Sequence, residues 1–411
     1  MMRKFSKMIS IGIVGSALCN TAIAAPSVEE LAQRLEQMQI EMNKLKSQLA
    51  NSATKQEVRV VENKVSEANE WRSPDTQVHF AGYADVGYSD AESEDGSFNT
   101  GTFAPIFHFQ YRDLVMLEAE LEFGVGDNGE TDVAMEYLTI DWFVNDYTTL
   151  VAGKFLSPIG QFRQNVHPSW INKLPSAPPG FGHDGAAPVT EVGVQLRGGF
   201  PIGSVRTNYA FYVGNGPELK AEFEDGEYEL DGVEAEGFGS DGDGEKAYGG
   251  RIGILPFADL EIGFSAATGK ATVTSVEDGD SDLLSLEGAR DYDVIGADFN
   301  WLLGSFQLRG EYVETKVGSS TEGTAASTGA VWETWYTQGS YRVKNTKLEL
   351  VTRYTDFDSP HNSQDQSQWA LGTNYLFTNN FIGKFSYEFN DGESGNLSDD
   401  DRFLLQMAYG F

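Results

Sequence analysis

From Gln77 to the C-terminus, large apolar residues fall on every second position. Phe103, Phe107, Phe109 and Tyr111 alternate with His108, Gln110 and Arg112. Val205, Thr207, Tyr209, Phe211 and Val213 alternate with Arg206, Asn208 and Tyr212. Phe306, Leu308, Gly310 and Tyr312 do the same against Gln307, Arg309 and Glu311. Period two marks a strand with one apolar face. It predicts strands near 78–89, 101–112, 114–125, 133–144, 147–156, 189–200, 204–214 and 247–256. Eight more follow near 259–269, 291–303, 305–315, 331–343, 346–357, 367–377, 381–390 and 402–411. Each is close to the ~9–11 residues that carry a tilted strand across a bilayer.

The connections alternate in length. Asp113, Asn145-Asp146, the stretch 200–203, the stretch 256–258, Gly304, Lys344-Asn345 and the stretch 378–380 are tight turns. Between them lie long polar connections near 90–100, 157–188, 215–246, 270–290, 316–330 and 391–401, with shorter ones near 126–132 and 358–366. Short turns on one side and long loops on the other is the layout of an outer-membrane barrel. The expected fold is an all-β transmembrane barrel of about sixteen antiparallel strands over 77–411.

Ahead of the barrel the period changes. Arg3, Lys4 and Lys7 precede an apolar stretch ending at Leu18, and Ala22-Ile23-Ala24 is a small-residue cleavage site, so residues 1–24 read as a secretory signal peptide. Val28, Leu31, Leu35, Met38, Met42, Leu45 and Leu49 then form a heptad seam, within a periplasmic α-helical coiled coil expected over 25–72. A lone amphipathic helix packed on its own domain is the plainer alternative.

Composition removes several classes. Mean hydropathy is −0.34 and no apolar run reaches helical-span length. Barrel strands turn only half their residues to lipid, so this value is no obstacle to a barrel. The formal charge of −33 argues against a nucleic-acid partner. Cys19 lies within the signal peptide, which leaves no thiol for a disulfide framework. The five His show no metal spacing and no nucleophile motif is present, so neither an enzyme nor a cofactor is expected.

The chain closes on "FLLQMAYGF", where Phe403, Leu405, Met407, Tyr409 and Phe411 share one face. This terminal strand resembles the C-terminal signature of Gram-negative outer-membrane porins. Residues 78–411 also resemble the phosphate-selective porin superfamily, most clearly at Gly153-Lys-Phe-Leu-Ser-Pro-Ile-Gly160, His167-Pro-Ser-Trp-Ile-Asn172 and Leu350-Val-Thr-Arg-Tyr354. The resemblance implies a trimeric diffusion channel in the outer membrane, surrounded by lipid and lipopolysaccharide and passing small hydrophilic solutes. It also implies that Phe403, Tyr409 and Phe411 belong to the signal read by the barrel-assembly machinery. No dense lysine cluster of a phosphate channel is evident. A structural tether between membrane and cell wall, or a barrel receptor for a specific solute such as a siderophore, remain the rival readings.

Selectivity should lie where the lumen narrows. The connection 157–188 carries Phe162, Trp170, Ile171, Leu174 and Phe181, which is apolar for a solvated loop. It either folds into the lumen, placing Arg163, His167, Trp170 and Lys173 at a constriction, or packs against a neighbouring protomer. Strand parity points Lys154, Arg197, Arg206, Arg251, Arg309 and Arg353 inward, opposed by Glu118, Glu120 and Glu122. These charges either discriminate ions, with anions preferred, or pair across the wall to stiffen it. The connection 215–246 holds twelve Asp or Glu against two Lys and reads as a solvated loop.

Overall fold

The computed structural model describes residues 75–411 except 127, 184, 225, 278, 321 and 322, together with Gln37 and Ile40. The signal peptide and the seam from Leu31 to Leu49 lie outside the described residues. The chain divides into two units, Met1–Trp71 and Arg72–Phe411, and every described strand belongs to the second.

In chain order its strands are β1 (Thr76–Ala91), β2 (Ser97–Asn99), β3 (Phe103–Tyr111), β4 (Val115–Val125), β5 (Thr131–Asn145), β6 (Thr148–Leu156) and β7 (Thr190–Ile202). They continue with β8 (Val205–Gly214), β9 (Glu218–Glu224), β10 (Glu227–Glu234), β11 (Ala247–Phe257), β12 (Leu260–Ala271), β13 (Val273–Glu277) and β14 (Arg290–Leu303). The last six are β15 (Phe306–Val317), β16 (Ala330–Arg342), β17 (Leu348–Asp358), β18 (Gln366–Leu376), β19 (Phe381–Gly392) and β20 (Arg402–Gly410). Leaving out β2, β9, β10 and β13, each strand pairs antiparallel with its neighbour in sequence, and β8 pairs with β11 across the long insertion. The ring closes where β20 runs antiparallel to β1, from Tyr83 opposite Gly410 to Ala91 opposite Arg402. The result is a closed barrel of sixteen antiparallel strands.

Alternation along the strands separates an outside from an inside. On β20, Leu405, Met407 and Tyr409 are exposed while Ala408 between them is fully buried. On β18, Trp369, Leu371 and Tyr375 are exposed and Gln368 and Asn374 are buried. An apolar row outside a polar interior is the inverse of a soluble core, and only lipid makes it favourable. Beside one short turn Phe377 meets Tyr375 edge-on at 4.9 Å and stacks on Phe381 at 4.7 Å between ring centroids, as in an interfacial aromatic girdle. The tight turns place Gly304 at φ 64° and Asn345 at φ 61°, the left-handed region that two-residue hairpins require.

Two departures from simple alternation matter. On β5 the register slips between Glu120/Tyr137 and Leu121/Met135, so Glu136 is the extra residue of a β-bulge. Glu136 and Tyr137 are consecutive and both buried, and the outward row moves from Val133 and Met135 to Leu138, Ile140 and Trp142. The second departure is the acidic insertion. Rather than a solvated loop, β9 and β10 form a hairpin, and β13 from the next connection joins β9 in parallel. Leu219, Ala221, Leu230, Val233 and Val273 are buried inside it together with Leu283. The carboxylates face outward because alternation leaves them the solvent side. Among the described residues no group of His, Cys, Asp and Glu is arranged to hold a metal ion.

Candidate functional site

The connection 157–188 lies inside the barrel. Its entry is fixed by Glu311 on β15, whose buried carboxylate accepts the backbone N–H of Gln161 at 3.1 Å and of Phe162 at 2.9 Å. Leaving such a buried N–H unmade costs roughly 1–3 kcal/mol, so the carboxylate dictates where the loop turns. Gly160 stands at φ +71°, and a Cβ there would overlap the Glu311 carboxylate oxygen. Only glycine permits that approach. One π-helical turn follows, Phe162–Val166, closed by His167 N–H donating to Phe162 O at 2.9 Å.

Beyond His167 the loop is tied to the far wall by cationic side chains. Lys173 Nζ donates to Ser340 Oγ at 2.8 Å and Glu349 Oε1 at 2.6 Å. Arg353 donates to Ser176 O, Ser176 Oγ and Ala177 O, each at 3.1 Å, and to Gln368 Oε1 at 2.8 Å. Lys384 Nζ donates to Ser169 O and to Gln406 Oε1. Thr334 Oγ1 donates to Pro179 O at 2.8 Å, and Thr315 Oγ1 to Ala186 O at 2.6 Å. Apolar contacts follow the same route. Phe181 meets Tyr336 edge-on at 5.2 Å, and Trp170 lies against Gly410, where a Cβ would come within 2.7 Å of the indole. The loop thus crosses the lumen and packs on β15–β20.

The expected constriction residues fall into unlike settings. Arg163 is buried, and burial draws its pKa down against the opposing charge of Glu136. For His167, burial first and then the Arg163 charge push the imidazole down to about 4, so it is neutral at pH 7. Burial also lowers Lys173 while Glu349 works against it. Lys173 is spent on that ion pair, and Trp170 packs against the closing strand.

On the wall, Glu118 accepts from Tyr137 Oη at 3.2 Å and stands 3.4 Å from His108, Glu120 accepts from Tyr83 Oη at 2.9 Å, and Glu122 from Thr102 Oγ1 at 3.0 Å. Arg251 Nε and Nη2 clamp Asp298 at 2.7 and 2.6 Å, with Nη1 on Asn208 at 2.9 Å and Nη2 also on Glu261 at 3.1 Å. Arg309 is buried beside Gln307, and Arg206 is exposed near the turn to β8. Arg197 pairs with Asp141, yet its side chain stays 43% exposed. Lys154 pairs in register with Leu138 and Val192, and its charge reaches Glu136 on β5 and Glu236 in the insertion. Sequence alternation alone missed Glu136, although the apolar row visibly changes parity between Met135 and Leu138.

This arrangement is a barrel with an apolar outer face, crossed inside by a docked loop that shares an apolar core with Phe155, Val313, Trp332 and Tyr336 on one side and leaves polar cavities on the other. The fold is that of an outer-membrane porin. Residues 269–411 match the family described as phosphate-selective porin O and P. Among solved structures, this porin fold is similar to an anion-selective porin from Comamonas acidovorans, at 14% identity over 82% of this chain and 100% of that one, TM-score 0.54. It is also similar to the trimer form of OmpT, an outer-membrane protein of Vibrio cholerae, at 14% identity over 82% and 99%, TM-score 0.52. A third porin fold like it is Salmonella typhi OmpF in complex with daunomycin, at 12% identity over 82% and 98%, TM-score 0.51. No curated protein matches the chain.

Proposed function

We propose that the protein is a passive diffusion channel for small hydrophilic solutes in the outer membrane of a Gram-negative bacterium. The observation that carries this reading is a closed sixteen-strand barrel whose interior is partly filled by an inward loop and keeps beside it a cavity of about 480 Å³ lined largely by polar side chains. A barrel of this strand number is wide enough for an aqueous channel, and a docked loop sets its narrowest section. The channel works as a homotrimer, inserted by the barrel-assembly machinery among lipid and lipopolysaccharide, with residues 25–72 as a periplasmic coiled coil. The trimer form of a structurally similar protein supports the oligomer.

Anion preference rests on fewer charges than the sequence offers. Lys173 and Arg353 are committed to holding the loop, His167 is neutral, and Arg251 is matched by Asp298 and Glu261. Arg163, Arg197, Arg206 and Arg309 are left to oppose Glu118, Glu120 and Glu122, and Asp141 already tempers Arg197, so selectivity for small ions should be weak. Purified protein in a planar bilayer under a KCl gradient tests both points. Discrete conductance steps with a reversal potential near zero are expected. A protein that assembles yet passes no current refutes the channel and favours a tether.

A further inference from the structure

Two cavities flank the near limb of the loop inside the barrel. One, of about 230 Å³, is bounded by Glu118, Glu120 and Gln195. The other, of about 480 Å³, is bounded by Asn208, Arg251 and Glu261. Both are lined by Gln164, Asn165 and Arg197, so they meet at those three side chains. The larger falls within the roughly 300–1,000 Å³ typical of small-ligand sites. A third cavity, of about 400 Å³, lies where the far limb at Pro178, Pro179 and His183 meets Phe357, Gln366 and Arg402, but it shares no lining residue with the other two, and Lys173, Arg353 and Lys384 tie the far limb to β16–β20 beside it.

The chemistry at the junction is particular. Arg251 has Nε, Nη1 and Nη2 engaged by protein acceptors and is 7% exposed, which leaves it little capacity for a solute. Arg197 has one side-chain partner among the described residues, Asp141, its side chain is 43% exposed, and it lines both cavities. A guanidinium with free N–H groups is a planar fork matched to a carboxylate. Facing it, Gln164 and Asn165, with Gln161 beside them in the larger cavity, present carboxamides whose long 3.4 Å bonds, from Gln164 to Leu156 O and from Asn165 to Gln161 Oε1, each use one of two N–H groups and leave the other, with the Gln164 and Asn165 oxygens, for a solute. A carboxamide both donates and accepts, and a hydroxyl needs both. On the far side of the junction Glu118 and Glu120 line the smaller cavity and repel a second negative charge.

We propose that this junction is the solute-selecting neck of the channel and that it favours compact, hydroxylated monocarboxylates. Arg197 takes the carboxylate, and Gln161, Gln164 and Asn165 take the hydroxyls. Asp141 tempers the charge of Arg197, so the solute is held weakly enough to leave, as conduction requires. The proposal rests on the diffusion-channel reading and deepens it by naming a solute class.

The test is block of KCl current through the full-length protein in planar bilayers by four probes. They are gluconate, the neutral polyol glucitol, the unhydroxylated hexanoate, and the dianion succinate. Gluconate should reduce the current at a concentration lower by about tenfold than any of the others, the weight of one charge-assisted hydrogen bond. Arg197→Gln should abolish the advantage of gluconate over glucitol. Gln164→Ala with Asn165→Ala should abolish its advantage over hexanoate. Heat-modifiable migration on gels establishes that each variant is assembled, and Arg197→Lys, which keeps the charge without the fork, should retain an intermediate preference. Equal block by gluconate and glucitol in the parent, or an unchanged gluconate effect in assembled Arg197→Gln, overturns the neck while the channel reading stands. A parent that conducts nothing overturns the channel reading, and the neck with it.

Discussion

Replacing Arg353 by Met should loosen the inward loop without unfolding the barrel. The side chain is 1% exposed, and three of its four hydrogen bonds reach the loop, at Ser176 O, Ser176 Oγ and Ala177 O. It also lies 4.0 Å from the buried Glu388. Methionine keeps most of the stem's packing, so the loss is chiefly polar. Removing one member of a buried charged pair costs on the order of 3–5 kcal/mol, because its partner and acceptors stay buried. Even the lower figure shifts a docked-to-released equilibrium by roughly a hundredfold. Lys173, Lys384, Thr334 and Thr315 still hold the loop at other points, which makes fluctuation the expected outcome rather than full release. Single-channel recordings should therefore show excess open-channel noise at a similar or larger mean conductance. Trypsin should gain access to the Lys173–Leu174 bond. An assembled variant as quiet and as protease-resistant as the parent would refute the claim that Arg353 tethers the loop.

Other outcomes follow from the same geometry. Phe411→Ala should lower the amount of assembled barrel without changing precursor secretion, since Phe411 exchanges backbone hydrogen bonds with Gly82 at 3.1 and 2.9 Å and packs its ring on Phe80 and Phe103. Immunoblots of heat-modifiable protein measure it. Deleting 25–72 should leave a folded barrel with a weaker oligomer, because the closing pairing of β1 with β20 begins after that segment. Failure to assemble refutes this. The contact between the inward loop and the acidic insertion should depend on pH through His183 and Glu236, 2.5 Å apart. The Glu236 hydrogen bond raises His183 above its ordinary value, and that contribution is complete below about pH 6.5 and fades as pH rises through the raised value. Burial opposes ionisation of Glu236, but the bond to His183 together with the charges of His183, Arg163 and Lys154 outweighs it and lowers the carboxyl, whose contribution is complete above about pH 4.5 and fades as pH falls through the lowered value. Arg163, Glu136 and Lys154 also act on the pair. Current noise should thus be least between those limits and rise as pH climbs through the raised His183 value, and His183→Gln should flatten the profile.

The barrel was legible because lipid imposes the same period on every strand. Segments as separate as 103–111 and 381–392 obey one alternation, and the tight turns at Gly304 and Asn345 carry residues that tolerate a positive φ. What alternation does not encode is where it slips, and Glu136 enters the lumen through such a slip. Charge hid a second element. Leu219, Ala221 and Phe223 alternate with Lys220 and Glu222, and Asp225-Gly226 is a hairpin-turn dipeptide, but the acidic excess suggested a solvated loop. Charge sign alone also left open which cations meet solutes and which pair across the wall. Lys173 and Arg353 were candidates for meeting solutes, yet both meet loop or wall groups instead. A sequence gives the charge of a side chain and withholds its partner.

The one-sided docking of the inward loop separates two kinds of constraint. Residues that hold it, among them Glu311, Arg353 and Lys384, lie on β15–β20, whereas Arg197, Asn208 and Glu261 beside the open cavities lie on β7–β12. A saturation scan should therefore split in two. Changes on the first arc should reduce the quantity of intact channel while leaving its permeability ratios alone. Changes on the second should alter those ratios at normal abundance. A lineage exposed to new nutrients can thus revise what it admits by altering one arc, with little risk to the integrity of its outer membrane.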